Sequence, residues 1–322
     1  MSQPDVVFLC RSNRGKSRMA QALAAAQHAD GWTVSSAGTH PAPPDDPPNA
    51  QSVEALAEVN APVIAQRPRG LDPDELGAAE RVVLIGSPSE DQWAALAGAG
   101  LEESAVTVWE TIEPSHDGIE GLERMRLIRD DIAERVAALH VELTAPARLR
   151  DLEAGATLAD VHTFADTLPA VRIEQMLGTW RGSGLPTGHP LDGLLEAYGW
   201  YGKRFESADV VHPLLFEKGE ESLVSINPRL VPLALVTRLG DVAQHPALIA
   251  LAGRLKPLLG TRRPTARLRM TTHRGLSTAT MCYDALPIHD VFRRVDDHTL
   301  LGLMDWRGSD DEFPFVLRRV DD

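Results

Sequence analysis

The chain has 322 residues, of which 43% are hydrophobic, so it is long enough to form two domains with packed cores. Its net charge of -14 argues against a nucleic-acid-binding protein. No apolar run is long enough to cross a bilayer, and the beginning of the chain does not resemble a secretory leader. Two cysteines do not make a disulfide framework, so we expect a reduced, cytoplasmic protein without membrane or nucleic-acid partners.

Strand and helix signals alternate through residues 1–143, which we expect to form the first domain. Strands are predicted at 5–10, 32–36, 81–86 and 105–109, and helices at 17–28, 50–59, 88–97 and 118–143. The last helix carries an apolar stripe at helical spacing. This alternation predicts an α/β fold with a doubly wound, four-stranded parallel sheet. Ligands of such sheets bind at the carboxyl ends of the strands, and Cys10 ends the first strand.

Residues 144–170 are expected to form a linker with a short helix, because they contain Pro146, Gly155 and Pro169. From residue 171 to 322 short alternating segments and turn residues replace the earlier rhythm. Strands are predicted at 195–205, 212–217, 223–226, 266–273, 276–284, 288–295, 299–305 and 313–320, with hairpin turns at 274–275 and 296–298 and a helix at 246–259. This pattern favours an antiparallel β-barrel or a sandwich.

A short loop with a glycine follows Cys10, in the order R-S-N-R-G-K-S. A cysteine at the end of an apolar strand is most often a small buried hydrophobe, but that interpretation leaves the loop unexplained. The spacing is typical of a loop whose backbone N–H groups bind an oxyanion, with the positive end of the following helix directed at it. The oxyanion-binding residues would be Arg11, Ser12, Asn13, Arg14, Gly15 and Lys16.

Cys10 is the candidate nucleophile, whose thiolate would attack arsenic or phosphorus in a tetrahedral oxyanion. Lys16 would add positive charge, and the Ser17 hydroxyl would donate a hydrogen bond to the thiolate. Asn13 is expected to hold the loop shape, because asparagine tolerates left-handed backbone. The side chains of Arg11 and Arg14 would either steer anions or be exposed loop charges.

The pattern C-x-x-N-x-G-[R/K]-S-x-M-A resembles the low-molecular-weight protein tyrosine phosphatase superfamily, including its arsenate reductase branch, over about the first 140 residues. Lys16 stands where the phosphatases have arginine, which grips an oxyanion with a planar fork instead of a point charge. The form G-K-S-x-M-A is similar to actinobacterial arsenate reductases that use a small-molecule thiol.

The resemblance also implies a general acid on a late loop, where the phosphatases carry an Asp-Pro pair. Here Glu113-Pro114 is the nearest match. A carboxyl group at Glu113 would be able to protonate a leaving oxygen. An exposed glutamate before a turn proline is the alternative interpretation.

Two residue counts favour arsenate over a phosphotyrosine substrate. All three tyrosines lie in the second domain, and a phosphotyrosine pocket needs aromatic walls. Cys10 is alone in the first domain, and Cys282 is expected to be a buried core residue, so the reducing thiols must come from outside. The resemblance implies mycothiol as the co-substrate, a glutaredoxin-like mycoredoxin as the partner, no tightly bound cofactor, and a role in arsenical resistance.

In the second domain, the segment L-G-T-W-R-G-S-G at 177–184 resembles the GXWXG signature, and residues 284–297 resemble the DUF4334 family. The segment at 177–184 is also similar to the opening of lipocalin-like and nitrobindin-like barrels. Trp180 is expected to plug the core, the nearby glycines to form tight turns, and the cations that end the segment 198–205 to lie on a solvated rim. The barrel is expected to bind a small ligand or to serve as a docking platform, and the residues of a ligand site are not predicted.

The histidines of the second domain are scattered, so no metal site is predicted. A nitrobindin-like barrel would allow haem ligation by His289 or His298, but ordinary surface or core histidines are the favoured interpretation.

The sequence therefore favours a thiol-dependent arsenate reductase of the arsenate-mycothiol transferase type. One alternative is a phosphomonoesterase that forms a cysteinyl-phosphate intermediate. The other, from a different class, is a sensor whose loop binds an oxyanion without turnover and whose barrel binds a small ligand. The oligomeric state is not predicted.

Overall fold

The structure is a computed structural model that describes residues 4–27, 32–217, 222–231 and 244–320. The chain divides into two compact units, Met1–His140 and Val141–Asp322. Among the described residues, no helix has both the length and the apolar character needed to cross a bilayer.

The first unit is built on a four-stranded parallel sheet in the order β2-β1-β3-β4. Its strands are β1 (Val6–Cys10), β2 (Val34–Gly38), β3 (Arg81–Ile85) and β4 (Val106–Trp109). Its helices are α1 (Lys16–Gln27), α2 (Ala50–Ala57), α3 (Pro73–Ala78), α4 (Glu90–Gly98) and the beginning of α5 (Gly121–Glu153). The predicted doubly wound α/β fold is confirmed.

All five residues of β1 are buried, as expected for a central parallel strand that is covered on both faces. On one face Val7 and Leu9 join an apolar cluster with Leu84 and Leu96. The predicted apolar stripe of α5 is buried from Met125 to Leu139. This packing fixes the carboxyl end of β1, where Cys10 lies.

Two helix predictions for this unit need correction. The predicted end of α5 at residue 143 is wrong, because the helix continues to Glu153 with Pro146 inside it. Helix α3 is absent from the sequence prediction, although Pro73 at its first turn and the Asp72 carboxylate, which accepts from two backbone N–H groups, are ordinary start signals. His28, the predicted end of α1, lies outside the described residues.

The second unit contains nine described strands, and eight of them close into an antiparallel barrel. The strands are β5 (Gly178–Gly184), β6 (Trp200–Phe205), β7 (Val211–Glu217), β8 (Leu223–Ser225), β9 (Ala266–His273), β10 (Leu276–Tyr283), β11 (Ile288–Arg294), β12 (Thr299–Trp306) and β13 (Phe313–Arg319). The ring runs β5-β13-β12-β11-β10-β9-β7-β6 and closes by pairing β6 with β5, while β8 adds to β7. The barrel alternative of the sequence prediction is confirmed.

Within the described residues of this unit, four α-helices occur besides the end of α5. They are α6 (Leu158–Thr167), α7 (Ile173–Met176), α8 (Leu194–Ala197) and α9 (Pro246–Leu259). The predicted strand at 195–205 is wrong in its first half, because α8 and a turn at Gly199, with φ 69°, precede β6. The turn at 274–275 is confirmed as a two-residue hairpin with positive φ at both residues.

The GXWXG segment forms a strand and not the predicted tight turns. Trp180 of β5 is buried at 1% exposure, its Nε1 donates to the Met176 carbonyl at 2.7 Å, and the Arg319 guanidinium lies 4.3 Å from its ring centroid. A Cβ at Gly182 would overlap the Trp200 ring. Glycine is needed there because an indole occupies the place of a side chain.

Candidate active site

Cys10 ends β1 at the carboxyl edge of the sheet, beside Gly38 of β2. The residue is only 7% exposed, and its Sγ lies 3.0 Å from the Ser17 Oγ in the first turn of α1. Because Ser17 Oγ accepts a hydrogen bond from Asn13 Nδ2 at 3.1 Å, its own proton is available to the sulfur. The serine hydroxyl and the amino-terminal end of α1 therefore both favour negative charge on this thiol.

Four carbonyl oxygens of the loop from Cys10 to Lys16 accept hydrogen bonds from backbone N–H groups outside the loop. Those of residues 10, 11, 12 and 14 accept from the backbone N–H groups of Thr39, His40, Ala42 and Asn49, at 2.8–3.1 Å. Within a trans peptide the C=O and the following N–H point in opposite directions. The N–H groups on the other side of these peptides therefore face the interior of the loop, which makes a concave anion-binding surface.

Asn13 holds this loop together from within. It has left-handed backbone with φ 53°, and its side chain is 1% exposed. Its Nδ2 donates to Ser17 and to Ser36 Oγ at 3.0 Å, and its Oδ1 accepts from the Arg69 N–H at 3.1 Å. The role predicted for Asn13 in loop shape thus has a specific set of hydrogen bonds behind it.

Gly38 lets the second strand approach the loop. A Cβ at this position would lie 2.9 Å from the Arg11 carbonyl oxygen and 3.0 Å from the Asn13 nitrogen, both backbone atoms that cannot move aside. The absence of a side chain therefore sets the distance between β2 and the Cys10 loop.

Lys16 points away from the loop toward the late loop after β4. Its Nζ donates to Thr111 Oγ1 at 3.0 Å and lies 3.4 Å from Glu113 Oε2. Glu113 is also bound by Arg124 Nε at 2.6 Å and by the Ser115 hydroxyl. The hydrogen bond from Arg124 is the largest cause that lowers the pKa of Glu113 to about 2, so its carboxyl group is ionised at neutral pH.

The fold and the loop agree with the family comparisons. Residues 5–148 match the low molecular weight phosphotyrosine protein phosphatase family. The first domain is a low molecular weight phosphatase domain. Residues 163–220 match the GXWXG protein family, and residues 264–319 match a domain of unknown function, DUF4334. The superfamily predicted from the Cys10 motif and both predicted barrel families are confirmed.

Solved structures similar to this chain include proteins described as an arsenate reductase and as an arginine phosphatase. A protein from Thermomonospora curvata is 34% identical over 55% of this chain and 99% of its own, with a TM-score of 0.41. A thioredoxin-dependent arsenate reductase from Corynebacterium glutamicum is 24% identical over 42% of this chain and 60% of its own (TM-score 0.33). The arginine phosphatase YwlE from Geobacillus stearothermophilus is 22% identical over 44% and 93%, respectively (TM-score 0.37).

The two arginines of the phosphatase loop are both engaged by acidic residues. Arg11 is exposed and pairs with Asp91 at 2.8 Å. Arg14 pairs with Asp46 at 3.0 Å and donates to the Pro47 carbonyl. Their pairing ties the loop to its surroundings, and their predicted role in steering anions stays a prediction.

The cleft above Cys10 has a wall of mixed polar and apolar side chains, with no aromatic side chain among its described residues. Beside the loop it is lined by Ala42, Asn49, Ser52, Ile85, Ser87, Gln92 and Met125. Trp109 is buried and packs on Phe8 with ring centroids 5.7 Å apart. The aromatic residue nearest the late loop in sequence therefore belongs to the core.

Several supporting residues of the phosphatase domain are missing from the sequence prediction. Arg124 holds Glu113, and Arg69 holds Asn13 through its backbone while its guanidinium binds Glu75. Arg18 is 4% exposed, donates to the carbonyl oxygens of Ile64 and Gln66, and interacts electrostatically with Cys10. The position of Arg18 directly after Ser17 of the motif is the one feature of the sequence that could have indicated its role.

Three predictions about side chains of the barrel are compared with the structure, and those for Cys282 and Lys203 are wrong. Cys282 is a free, half-buried thiol whose neighbours Met281 and Tyr283 point to the core, so it lies on the outer face. His289 and His298 are exposed and do not line the barrel cavity. Lys203, expected on a solvated rim, is 3% exposed and pairs with Asp290.

Proposed function

We propose that the phosphatase domain is a thiol-dependent arsenate reductase of the arsenate-mycothiol transferase type. The observation that carries this proposal is the cleft above Cys10, whose described walls contain no aromatic ring. A tetrahedral inorganic oxyanion needs the backbone N–H groups of the loop and the positive end of α1, and it needs no ring-binding surface.

The state of Glu113 gives further support. Cleavage of a phosphoester requires a proton for the leaving oxygen, and the nearest candidate acid is ionised and held by Lys16 and Arg124. Arsenate brings its own hydroxyl groups, one of which leaves as water after a proton transfer within the bound oxyanion or from solvent. The role of Glu113 as general acid stays a prediction.

The reaction would proceed in three steps. The Cys10 thiolate forms a sulfur–arsenic bond while water leaves, and arsenic stays As(V). An external thiolate, proposed to be mycothiol, then attacks arsenic and releases Cys10. A thiol of a mycoredoxin-like partner attacks the mycothiol sulfur, forms a mixed disulfide and releases arsenite, so that the two sulfurs are oxidised and As(V) gains two electrons.

External thiols are required because the chain offers no second usable cysteine. Cys10 and Cys282 are the only two in the sequence, and both are free. Burial raises the pKa of the Cys282 thiol, which makes it a poor nucleophile near neutral pH.

The test is arsenite formation from arsenate by the purified full chain with mycothiol and mycoredoxin. We expect turnover that requires both thiol components, is lost in Cys10→Ser and is retained in the matched variant Cys282→Ser. Turnover of p-nitrophenyl phosphate that depends on Cys10, without arsenite formation, would replace the proposal with a phosphatase. Arsenate binding that survives in Cys10→Ser, with no turnover by the parent, would favour an oxyanion sensor.

A further inference from the structure

A cavity of about 460 Å³ lies in the second unit, between inward-facing side chains of the barrel and helix α9. This volume is within the range of sites that hold small organic ligands. Its described wall is made of leucine, aromatic and other apolar side chains, with three charged residues, Lys203, Asp290 and Lys256. The cavity shares no lining residue with the Cys10 cleft, so a ligand site there does not rest on the proposed reductase activity.

Two of the three charges neutralise each other in the wall. Lys203 Nζ lies 2.7 Å from Asp290 Oδ2, and both side chains are almost completely buried. The ammonium group also lies 4.9 Å from the Phe315 ring centroid and donates to the Pro213 carbonyl. A ligand carboxylate next to Lys203 would be repelled by Asp290, and a ligand amine next to Asp290 would be repelled by Lys203. This part of the wall therefore accepts the neutral portion of a ligand.

The third charged residue, Lys256, differs from the other two because no carboxylate pairs with it among the described residues. It lies on α9, is partly buried, and its Nζ is 5.1 Å from the Phe216 ring centroid. Within the described part of the chain it forms no ion pair, and burial lowers its pKa while the charge of Glu217 only partly opposes this. A partly desolvated cation of this kind is stabilised by an anion placed beside it.

Lys256 lies where the cavity reaches solvent. Leu230, Leu251 and Leu255 line the cavity and are each more than two-fifths exposed. Leu251 and Leu255 are on the same helix as Lys256, so the cation borders an apolar opening. Apolar walls, a neutralised interior and one cation at the opening match a molecule with an apolar chain and an anionic end.

We propose that the barrel binds a carboxylate-bearing apolar amphiphile, with its chain in the cavity and its carboxylate at Lys256. Lys256 then sets the preference for an acid over the corresponding alcohol, and the apolar wall supplies the affinity that the two share. Trp200 lines the same cavity and gives an optical signal for occupancy.

The test uses the full chain with two probes of equal chain length, laurate and lauryl alcohol, measured by tryptophan fluorescence and by calorimetry. We expect saturable one-to-one binding of laurate, and at least about tenfold weaker laurate binding in Lys256→Gln with lauryl alcohol unchanged. The matched control is Arg254→Gln, which removes one charge from an exposed position of α9 that does not line the cavity. It should leave both affinities unchanged.

A second variant tests the location of the bound chain without changing any charge. Ala252→Trp places an indole into the cavity from α9 and should abolish binding of both probes. Its circular dichroism spectrum and that of Lys256→Gln should match the parent, so that lost binding is not unfolding. The proposal is overturned if neither probe binds the parent, if Lys256→Gln weakens acid and alcohol equally, or if a folded Ala252→Trp variant binds laurate as the parent does.

Discussion

The Cys10 loop and the barrel cavity both bury polar groups, and they compensate for that burial in opposite ways. In the loop, Asn13, Ser17 and Ser36 are neutral and hydrogen-bond to one another, so backbone N–H groups stay available to an anion. In the cavity, Lys203 and Asp290 form a buried pair of opposite charge that is surrounded by apolar side chains. The comparison teaches that the loop attracts charge through oriented dipoles, whereas the cavity cancels its interior charge and leaves apolar surface for a ligand.

The largest expected effect comes from breaking the buried pair of the cavity. Asp290→Ala leaves the Lys203 ammonium in an apolar wall without its carboxylate, which should lower the free energy of unfolding of the barrel by about 3–5 kcal/mol. Urea denaturation followed by near-UV circular dichroism measures the shift in midpoint.

The matched control removes both charges together. In Lys203→Met with Asp290→Leu no unpaired charge remains, so stability should return to within about 1 kcal/mol of the parent or exceed it. A double variant as unstable as Asp290→Ala would mean that the side-chain shapes, and not the charges, stabilise this part of the barrel.

The loop should respond to a neutral substitution with a loss of rate. Asn13→Ala removes three hydrogen bonds, two of which are buried, and it also removes an asparagine that tolerates left-handed backbone, so the loop N–H groups lose their positions. We expect kcat/KM for arsenate reduction to fall by about 100-fold.

Asn60→Ala is the control for that experiment. Asn60 also has left-handed backbone, with φ 56°, but it is exposed and does not line the cleft. An equal loss of rate in Asn60→Ala would trace the effect to backbone strain and not to the hydrogen bonds of Asn13.

A smaller effect isolates the contact between the serine and the thiol. Ser17→Ala removes the hydroxyl 3.0 Å from Cys10 Sγ, so alkylation of Cys10 by iodoacetamide near neutral pH should slow by about tenfold. Ser12→Ala changes a serine of the same loop that has no predicted side-chain role, and it should react like the parent. Unchanged alkylation in Ser17→Ala would show that α1 and the loop amides are sufficient to favour the thiolate.

The two sites also differ in how far they can be predicted from sequence. The Cys10 loop is one continuous segment, so the order of its residues fixes most of its geometry, and Cys10, Asn13 and Ser17 can be named from their spacing. The cavity takes Lys203 from β6, Asp290 from β11 and Lys256 from α9. No local pattern brings these residues together, because only the folded barrel with α9 beside it places them in the wall of one cavity.

Dependence on long-range contacts also explains one wrong element in the barrel and one contact that the sequence prediction missed in the first unit. The sequence predicts a strand from residue 195, because apolar and aromatic residues alternate there, whereas α8 and the turn at Gly199 come before Trp200. The sequence does not connect Arg124 with Glu113, because the contact depends on where the first turns of α5 lie. Long-range packing, and not local preference, decides such positions.

The smallest expected effect concerns Glu113 and depends on pH. Its pKa is lowered from 4.5 to about 2, so its ion pairs stabilise the fold fully above the ordinary value and lose that contribution as the pH falls toward about 2. Glu113→Gln, which is neutral at every pH, should therefore lower stability by about 1 kcal/mol near pH 7 and by less near pH 3. Thermal unfolding at the two pH values measures the difference, with the exposed Glu110→Gln as a control. A penalty that stays constant with pH would mean that Glu113 contributes through packing and not through charge. If instead Glu113→Gln left stability intact but removed turnover of p-nitrophenyl phosphate, Glu113 would be a general acid, and the loop would belong to a phosphatase.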